Sequence, residues 1–266
     1  MDIRLALSGA GTRIPGHVGV LQACEDLGVN IREIAGTSAG SICGALYASG
    51  MKAAEMKQLA FTMDWNPLIG LSLESLLEHE ALNSGDNVLS FLQQHTGGKR
   101  FSDIGIDLKI IAMDLLTEQE IVFSRDASPS VTLADAARAS SSIPVVFPPM
   151  QFSNALCVDG GTGDNVPASH LTIDELPRFE VYLKSEDPPL TPGDYGFLTV
   201  LPRIIDSMLS ANESLRTVMD SEHGVHIITV PTPYASSLDK SMPLAIRQRL
   251  FDDGYAAMKQ ALSVVI

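Results

Sequence analysis

A chain of 266 residues, 45% hydrophobic and 19% charged, is long enough for one large core or two small ones and too apolar to be disordered. Its formal net charge of −14 excludes the basic surface that nucleic acid requires. The same charge, with Lys99-Arg100 as the one basic pair, argues against electrostatic recruitment to anionic lipid, so any membrane contact has to be led by apolar surface.

The elements follow in chain order. Residues 3–7 read as a first strand, and Ser8-Gly9-Ala10-Gly11-Thr12-Arg13 as a glycine-rich turn. Val20, Leu21, Cys24 and Leu27 recur at helical spacing until Gly28 stops the helix. Residues 31–35 form a second strand, and a small-residue helix covers 41–49. Further helices are expected over 53–63 and 86–95, with a mostly apolar stretch, 65–82, between them as a helical cap over the site. A strand pair over 108–115 and 120–123 precedes a helix at 133–139, a proline-broken loop at 143–149 and a short strand at 156–158. Residues 178–183 read as a strand, 188–193 as a loop, 197–219 as one long amphipathic helix, 225–230 as a strand and 243–264 as a closing helix. The order strand, loop, helix, strand, turn, helix at the start describes parallel βαβα, and the expected fold class is α/β. No repeat or linker divides the chain, so residues 1–266 are expected to form a single domain.

No run reaches the ~18 apolar residues of a spanning helix, and the first apolar run is too short for a signal-peptide core. Cys24, Cys43 and Cys157 are odd in number and without paired spacing. They predict a reducing compartment, hence a cytoplasmic location.

Gly36-Thr37-Ser38-Ala39-Gly40 carries the chemistry. A short apolar strand running into Gly-x-Ser-x-Gly and then a helix is the form of a nucleophile elbow, in which Ser38 projects its hydroxyl from a strained turn. Gly36 and Gly40 leave room for neighbouring backbone, and the helix dipole points at the serine. A serine needs a base. None of the six histidines lies in a catalytic motif, whereas Asp159 stands at a strand end before Gly160-Gly161, with space to approach another loop.

Three motifs in order, Gly9-Ala10-Gly11-Thr12-Arg13, Gly36-Thr37-Ser38-Ala39-Gly40 and Asp159-Gly160-Gly161, resemble those of patatin-like phospholipases. The stretches 139–149 and Asn165-Val166-Pro167 agree, and the likeness covers roughly residues 3–170. The resemblance implies a three-layer α/β/α fold with a mainly parallel central sheet. It implies a Ser38–Asp159 dyad that hydrolyses lipid acyl esters of phospholipase A or lysophospholipase type through an acyl-enzyme. Gly9, Ala10 and Gly11 would form the oxyanion hole, with Ala10 and Gly11 as donors and Ala39 as a third. Arg13 is a candidate phosphate contact, with a role in holding the Gly-loop as the alternative. The implied partners are a phospholipid or other acyl ester and, transiently, a membrane surface, with no cofactor and no metal. One departure is that the family's glycine triplet is Gly9-Ala10-Gly11 here, with Ile14 where a further glycine is common.

Three other readings stay open on the residues alone. A Ser-His-Asp hydrolase would use His170, His223 or His226. A nucleotide-binding module would use Gly9 to Gly16 as a phosphate cradle, although no Lys-Ser/Thr follows Gly16. A non-catalytic lipid-binding relative would keep the fold without the reaction.

Overall fold

The computed structural model describes residues 1–69, 75, 81–184, 193, 195–196, 200, 203–207, 211 and 213–265. Its centre is an eight-stranded sheet in the order β5-β6-β3-β2-β1-β7-β8, with β4 attached to β3. The strands are β1 (Asp2–Leu7), β2 (Asn30–Thr37), β3 (Asp107–Asp114), β4 (Gln119–Phe123), β5 (Met150–Phe152), β6 (Ala155–Asp159), β7 (Arg178–Lys184) and β8 (Val225–Pro231). β1, β2, β3, β7 and β8 run parallel, and β4, β5 and β6 are antiparallel to their neighbours.

The helices are α1 (Ile14–Asp26), α2 (Ala39–Ala48), α3 (Ala53–Thr62), α4 (Asn66–Ile69), α5 (Asp86–Thr96), α6 (Leu133–Ser140), α7 (Glu213–Glu222) and α8 (Leu244–Val265). Strand alternation divides them between two faces. On β7, Phe179, Val181 and Leu183 point into the main apolar core, where Leu183 lies against Gly16 of α1. Glu180 and Tyr182 point the other way and bond Thr217 and Glu213 of α7. The result is the three-layer, mainly parallel α/β/α fold expected from the sequence.

At the far end of the strands from the loops of interest, the fully buried Glu33 of β2 accepts from Arg4 Nη1 of β1 at 2.5 Å and from Lys109 Nζ of β3 at 2.6 Å. A buried carboxylate is tolerated only when paired, so this contact ties the register of three adjacent strands.

One expectation is corrected. The single helix over 197–219 is interrupted: residues 203–207 are helical, Ala211 is a turn, and α7 starts at Glu213. The short β5, unforeseen, pairs antiparallel with β6. The expected cap over 65–82 is helical at Asn66–Ile69, and residues 70–74 and 76–80 lie outside the described residues, as does most of the expected loop 188–193. Among the described residues no helix is long and apolar enough to cross a membrane.

Candidate active site

Ser38 sits between β2 and α2 with φ 51° and ψ −117°, a conformation that a residue with a Cβ adopts only under constraint. The constraint comes from crowding. A Cβ on Gly40 would lie 2.1 Å from Leu7 O, and one on Gly36 would lie 2.6 Å from Gly40 O, so α2 leaves the strand too tightly for any other residue. The Ser38 N–H donates to Ser140 Oγ at 2.9 Å, and Ser140 Oγ donates to Ile111 O at 2.5 Å. This bridge from α6 to β3 holds the turn.

Asp159 reaches Ser38 because of the way strands share β3. β4 pairs with residues 110–114 of β3, β2 with 107–111 and β6 with 112–114. A strand residue has one partner on each edge, so β2 and β6 must lie end to end along the edge opposite β4. Where β2 turns away at Thr37, opposite Ile111, β6 arrives at Asp159, opposite Ala112. Ser38 Oγ then donates to Asp159 Oδ2 at 2.6 Å, while Gly161 N–H donates to Asp159 Oδ1 at 2.8 Å. Both side chains are buried. Burial pushes the Asp159 carboxyl up to about 6, against the two bonds that favour its ionised form. It is therefore mostly ionised at neutral pH and close to the range in which a carboxylate acts as a base.

The Gly-loop lies on the other side of Ser38. Gly11 has φ +57°, and Ala10 keeps a negative φ of −156°. Gly9 N–H donates to Asn165 O at 2.9 Å and Thr12 N–H to Ser237 O at 2.8 Å. Gly9 is thus not available as an oxyanion donor, which corrects its inclusion in that set; its backbone is held by the stretch that follows Asp159. The N–H groups of Ala10 and Gly11 have no acceptor among the described residues. Of the two roles open to Arg13, the contacts support the one that holds the Gly-loop. The residue is buried, and its guanidinium donates to Ala10 O at 3.0 Å and to Thr232 Oγ1 at 3.0 Å. It clamps the loop and does not present a charge to a phosphate. The loop's Gly9, Thr12 and Arg13 amides are thus committed within the fold.

The histidines lie elsewhere. His17 is buried, donates from Nε2 to Ser8 O at 2.8 Å and is held neutral by burial, its pKa lowered to about 4. His170 bonds Glu120 at 3.0 Å, His223 Nδ1 bonds Met219 O at 2.6 Å, and His226 stacks on Phe179. No histidine among the described residues bonds Ser38 or Asp159; His79 lies outside them. Asp164 caps its own loop, accepting from Val166 N–H at 3.2 Å.

Two further groupings are formed by the fold. An apolar cleft opens beside Ser38, walled by Ile42, Met56, Leu59, Phe91 and, from the stretch expected to cap the site, Trp65, among others. Glu120 meets Asp164 and His170 from further along the chain, their ligand atoms within 4.8 Å of one another, a grouping without signal in the sequence. The guanidinium of Arg216 lies against both carboxylates there, at 2.8 Å from Asp164 and 3.0 Å from Glu120, and already supplies a positive charge.

The chain is thus an α/β sheet protein in which a strained serine bonded to a buried carboxylate lies beside an apolar cleft and two backbone N–H groups without an acceptor among the described residues. The family model of the patatin-like phospholipases matches residues 5–172, and the chain belongs to that family. It is 31% identical over 175 residues to an uncharacterized NTE family protein of Mycobacterium tuberculosis, covering 65% of this chain and 28% of that one. It is 30% identical over 172 residues to the patatin-like phospholipase domain-containing protein 6 of Mus musculus, covering 62% of this chain and 12% of that one. The match thus spans well under half the length of these relatives. The fold is shared with VipD from Legionella pneumophila (TM-score 0.66, 17% identity, 98% of this chain, 67% of that one). It is shared also with the type III effector ExoU (TM-score 0.57, 17% identity, 99% and 53%).

Proposed function

We propose that the protein is a lipid acyl hydrolase, a serine esterase of phospholipase A or lysophospholipase type, working through a Ser38–Asp159 dyad. The observation that carries the reading is the 2.6 Å bond from Ser38 Oγ to Asp159 Oδ2 at the mouth of an apolar cleft. Asp159 takes the hydroxyl proton as Ser38 attacks the ester carbonyl. The Ala10 and Gly11 amides receive the oxyanion, each such donor typically worth ~3–4 kcal/mol. The acyl chain lies in the cleft. The proton held by Asp159 passes to the departing alcohol or lysolipid. Asp159 then deprotonates a water that attacks the acyl-enzyme, and the fatty acid leaves as Ser38 regains its proton.

Substrate is met at a lipid surface, transiently. Three unpaired, buried cysteines are in keeping with a reducing cytoplasm. The test combines labelling and turnover. A fluorophosphonate probe is expected to label wild type at Ser38 and to leave Ser38→Ala unlabelled. A panel of labelled phospholipids and neutral esters should be cut by wild type and left intact by Ser38→Ala. Normal turnover by that variant would refute the dyad.

A further inference from the structure

Gly11 stands between two peptide planes, and both are set from a distant part of the chain. The plane before it joins the Ala10 carbonyl to the Gly11 N–H, which point in opposite directions because the peptide is trans and planar. Ala10 O accepts from Arg13 N–H at 3.2 Å and from Arg13 Nε at 3.0 Å, so the Gly11 N–H is turned away from Arg13. Arg13 in turn donates from Nη1 to Thr232 Oγ1 at 3.0 Å. The plane after Gly11 carries the Thr12 N–H, which donates to Ser237 O at 2.8 Å, while Thr12 Oγ1 donates to Ser236 O at 3.2 Å. Ser237 O also fills the side of Gly11 on which a Cβ would stand, 2.0 Å from that position. With φ at +57° as well, glycine is required there.

The segment that supplies these contacts follows β8 and lies beyond residue 172, where the family match ends. It is itself anchored. Thr232 N–H and Oγ1 both donate to Lys184 O at the end of β7, at 2.9 and 2.8 Å. The Thr232 hydroxyl thus commits its one proton to β7 and keeps a lone pair for Arg13. Ser237 Oγ donates to Asp206. Thr232 is fully buried and Ser237 is 2% exposed, so water does not compete for either hydroxyl.

We propose that Thr232 and Ser237 are positioning residues for the oxyanion hole, acting through Arg13 and Thr12 to fix the Gly11 amide before the ester carbonyl arrives. The proposal rests on the hydrolase reading. Backbone donors stabilise a developing oxyanion only if they are aimed in advance, because turning a peptide during the reaction would cost part of what the bond contributes. Two buried hydroxyls from the last third of the chain provide that aim.

Thr232→Val keeps the branched shape of the side chain and removes the hydroxyl. On a soluble p-nitrophenyl ester it is expected to lower kcat by about ten- to a hundredfold with KM little changed. Thr232→Ser, which keeps the hydroxyl, should recover most of that loss. A trifluoromethyl ketone separates positioning from general loosening. Ser38 Oγ adds to its carbonyl carbon, the hydroxyl proton passes to Asp159, and the carbonyl oxygen becomes an oxyanion in the hole. The inhibition constant of the ketone should rise by the factor by which kcat/KM falls. The pH at which kcat/KM declines, set by Asp159, should stay at its wild-type value. Ser237→Ala should act in the same direction, and it carries the test if thermal melting shows that Thr232→Val does not fold. Wild-type kcat and ketone affinity in the variant that carries the test overturn the proposal. So does failure of Thr232→Ser to restore activity, or a shift of the pH profile that accounts for the loss. An active wild type matched by its variants removes the positioning role and leaves the hydrolase reading standing. A wild type that cleaves no ester and takes up no fluorophosphonate removes the hydrolase reading, and the positioning role with it.

Discussion

Thr37 and Asp159 face consecutive residues of one strand, Ile111 and Ala112, although they are 122 positions apart in the chain. β2 and β6 meet end to end on the same edge of β3, and Ser38 bonds Asp159 at their junction. The sheet itself sets the distance between hydroxyl and carboxylate. Ser140 completes the arrangement by bonding both Ser38 N and Ile111 O.

Removing that bridge is expected to be costly. Ser140→Ala leaves the buried Ser38 N–H without its acceptor, a loss of about 1–3 kcal/mol in stability. It also frees the strained turn, so kcat should fall by about tenfold or more while KM changes little. Urea denaturation and steady-state kinetics on a soluble ester check both. Unchanged kcat would mean that the backbone alone holds the elbow.

The buried carboxylate makes activity and stability oppose each other. Asp159 must be ionised to act as base, so kcat/KM should fall as pH drops through about 6. Its folded pKa lies above the unfolded value of 3.8, so the folded state holds its proton more tightly. Stability from this group is full below about pH 4 and declines as pH rises to about 6. Asp159→Asn should therefore be inactive yet more stable at pH 7, by up to roughly 3 kcal/mol for a two-unit shift. The gain should vanish near pH 4. Melting temperatures of both proteins at the two pH values decide it.

A bulky side chain in the cleft should change which esters are cut. Met56 of α3 lines the cleft and is almost fully buried. Met56→Trp is expected to lower kcat/KM for a palmitoyl ester by more than tenfold and for a butyryl ester by much less. Equal losses on both would show that acyl chains do not enter here. Overpacking itself costs about 1–3 kcal/mol, so a melt should accompany the kinetics.

The attachment of α7 should loosen in alkali. Burial pushes Glu180 up to about 8, reinforced by the neighbouring Asp220 and Asp164 and opposed by its bond from Thr217. Asp220 is raised as well, chiefly by burial, with Arg216, Arg178 and the His223 imidazole nearby. A raised acid gives stability that is lost as pH rises through its folded value. Above about pH 8 two carboxylates face each other under the helix. Hydrogen exchange of α7 amides, corrected for intrinsic rate, should speed up between pH 7 and pH 9. In Glu180→Gln that acceleration should be much reduced.

The sequence by itself determined the elements and the chemistry that depends on neighbours in the chain. Strand, turn and helix around Ser38 are local, since Gly36 and Gly40 are needed within two residues of the serine they flank. The resemblance of three ordered motifs was enough to expect both the family and the fold. What only the tertiary structure decided depends on contacts between distant segments. The amide of Gly9 is committed because Asn165 O, 156 positions away, takes its N–H. Arg13 proved to be a clamp because Thr232 lies within reach. The apolar cleft beside Ser38 has walls from α1, α2, α3 and α5, and no periodicity in any one of them announces it. The 3.6-residue pattern of α7 was readable, but the side that faces the sheet was not. Glu120, Asp164, Glu180 and Tyr182 supply polar partners that reverse the usual burial, and only folding brings them beneath the helix.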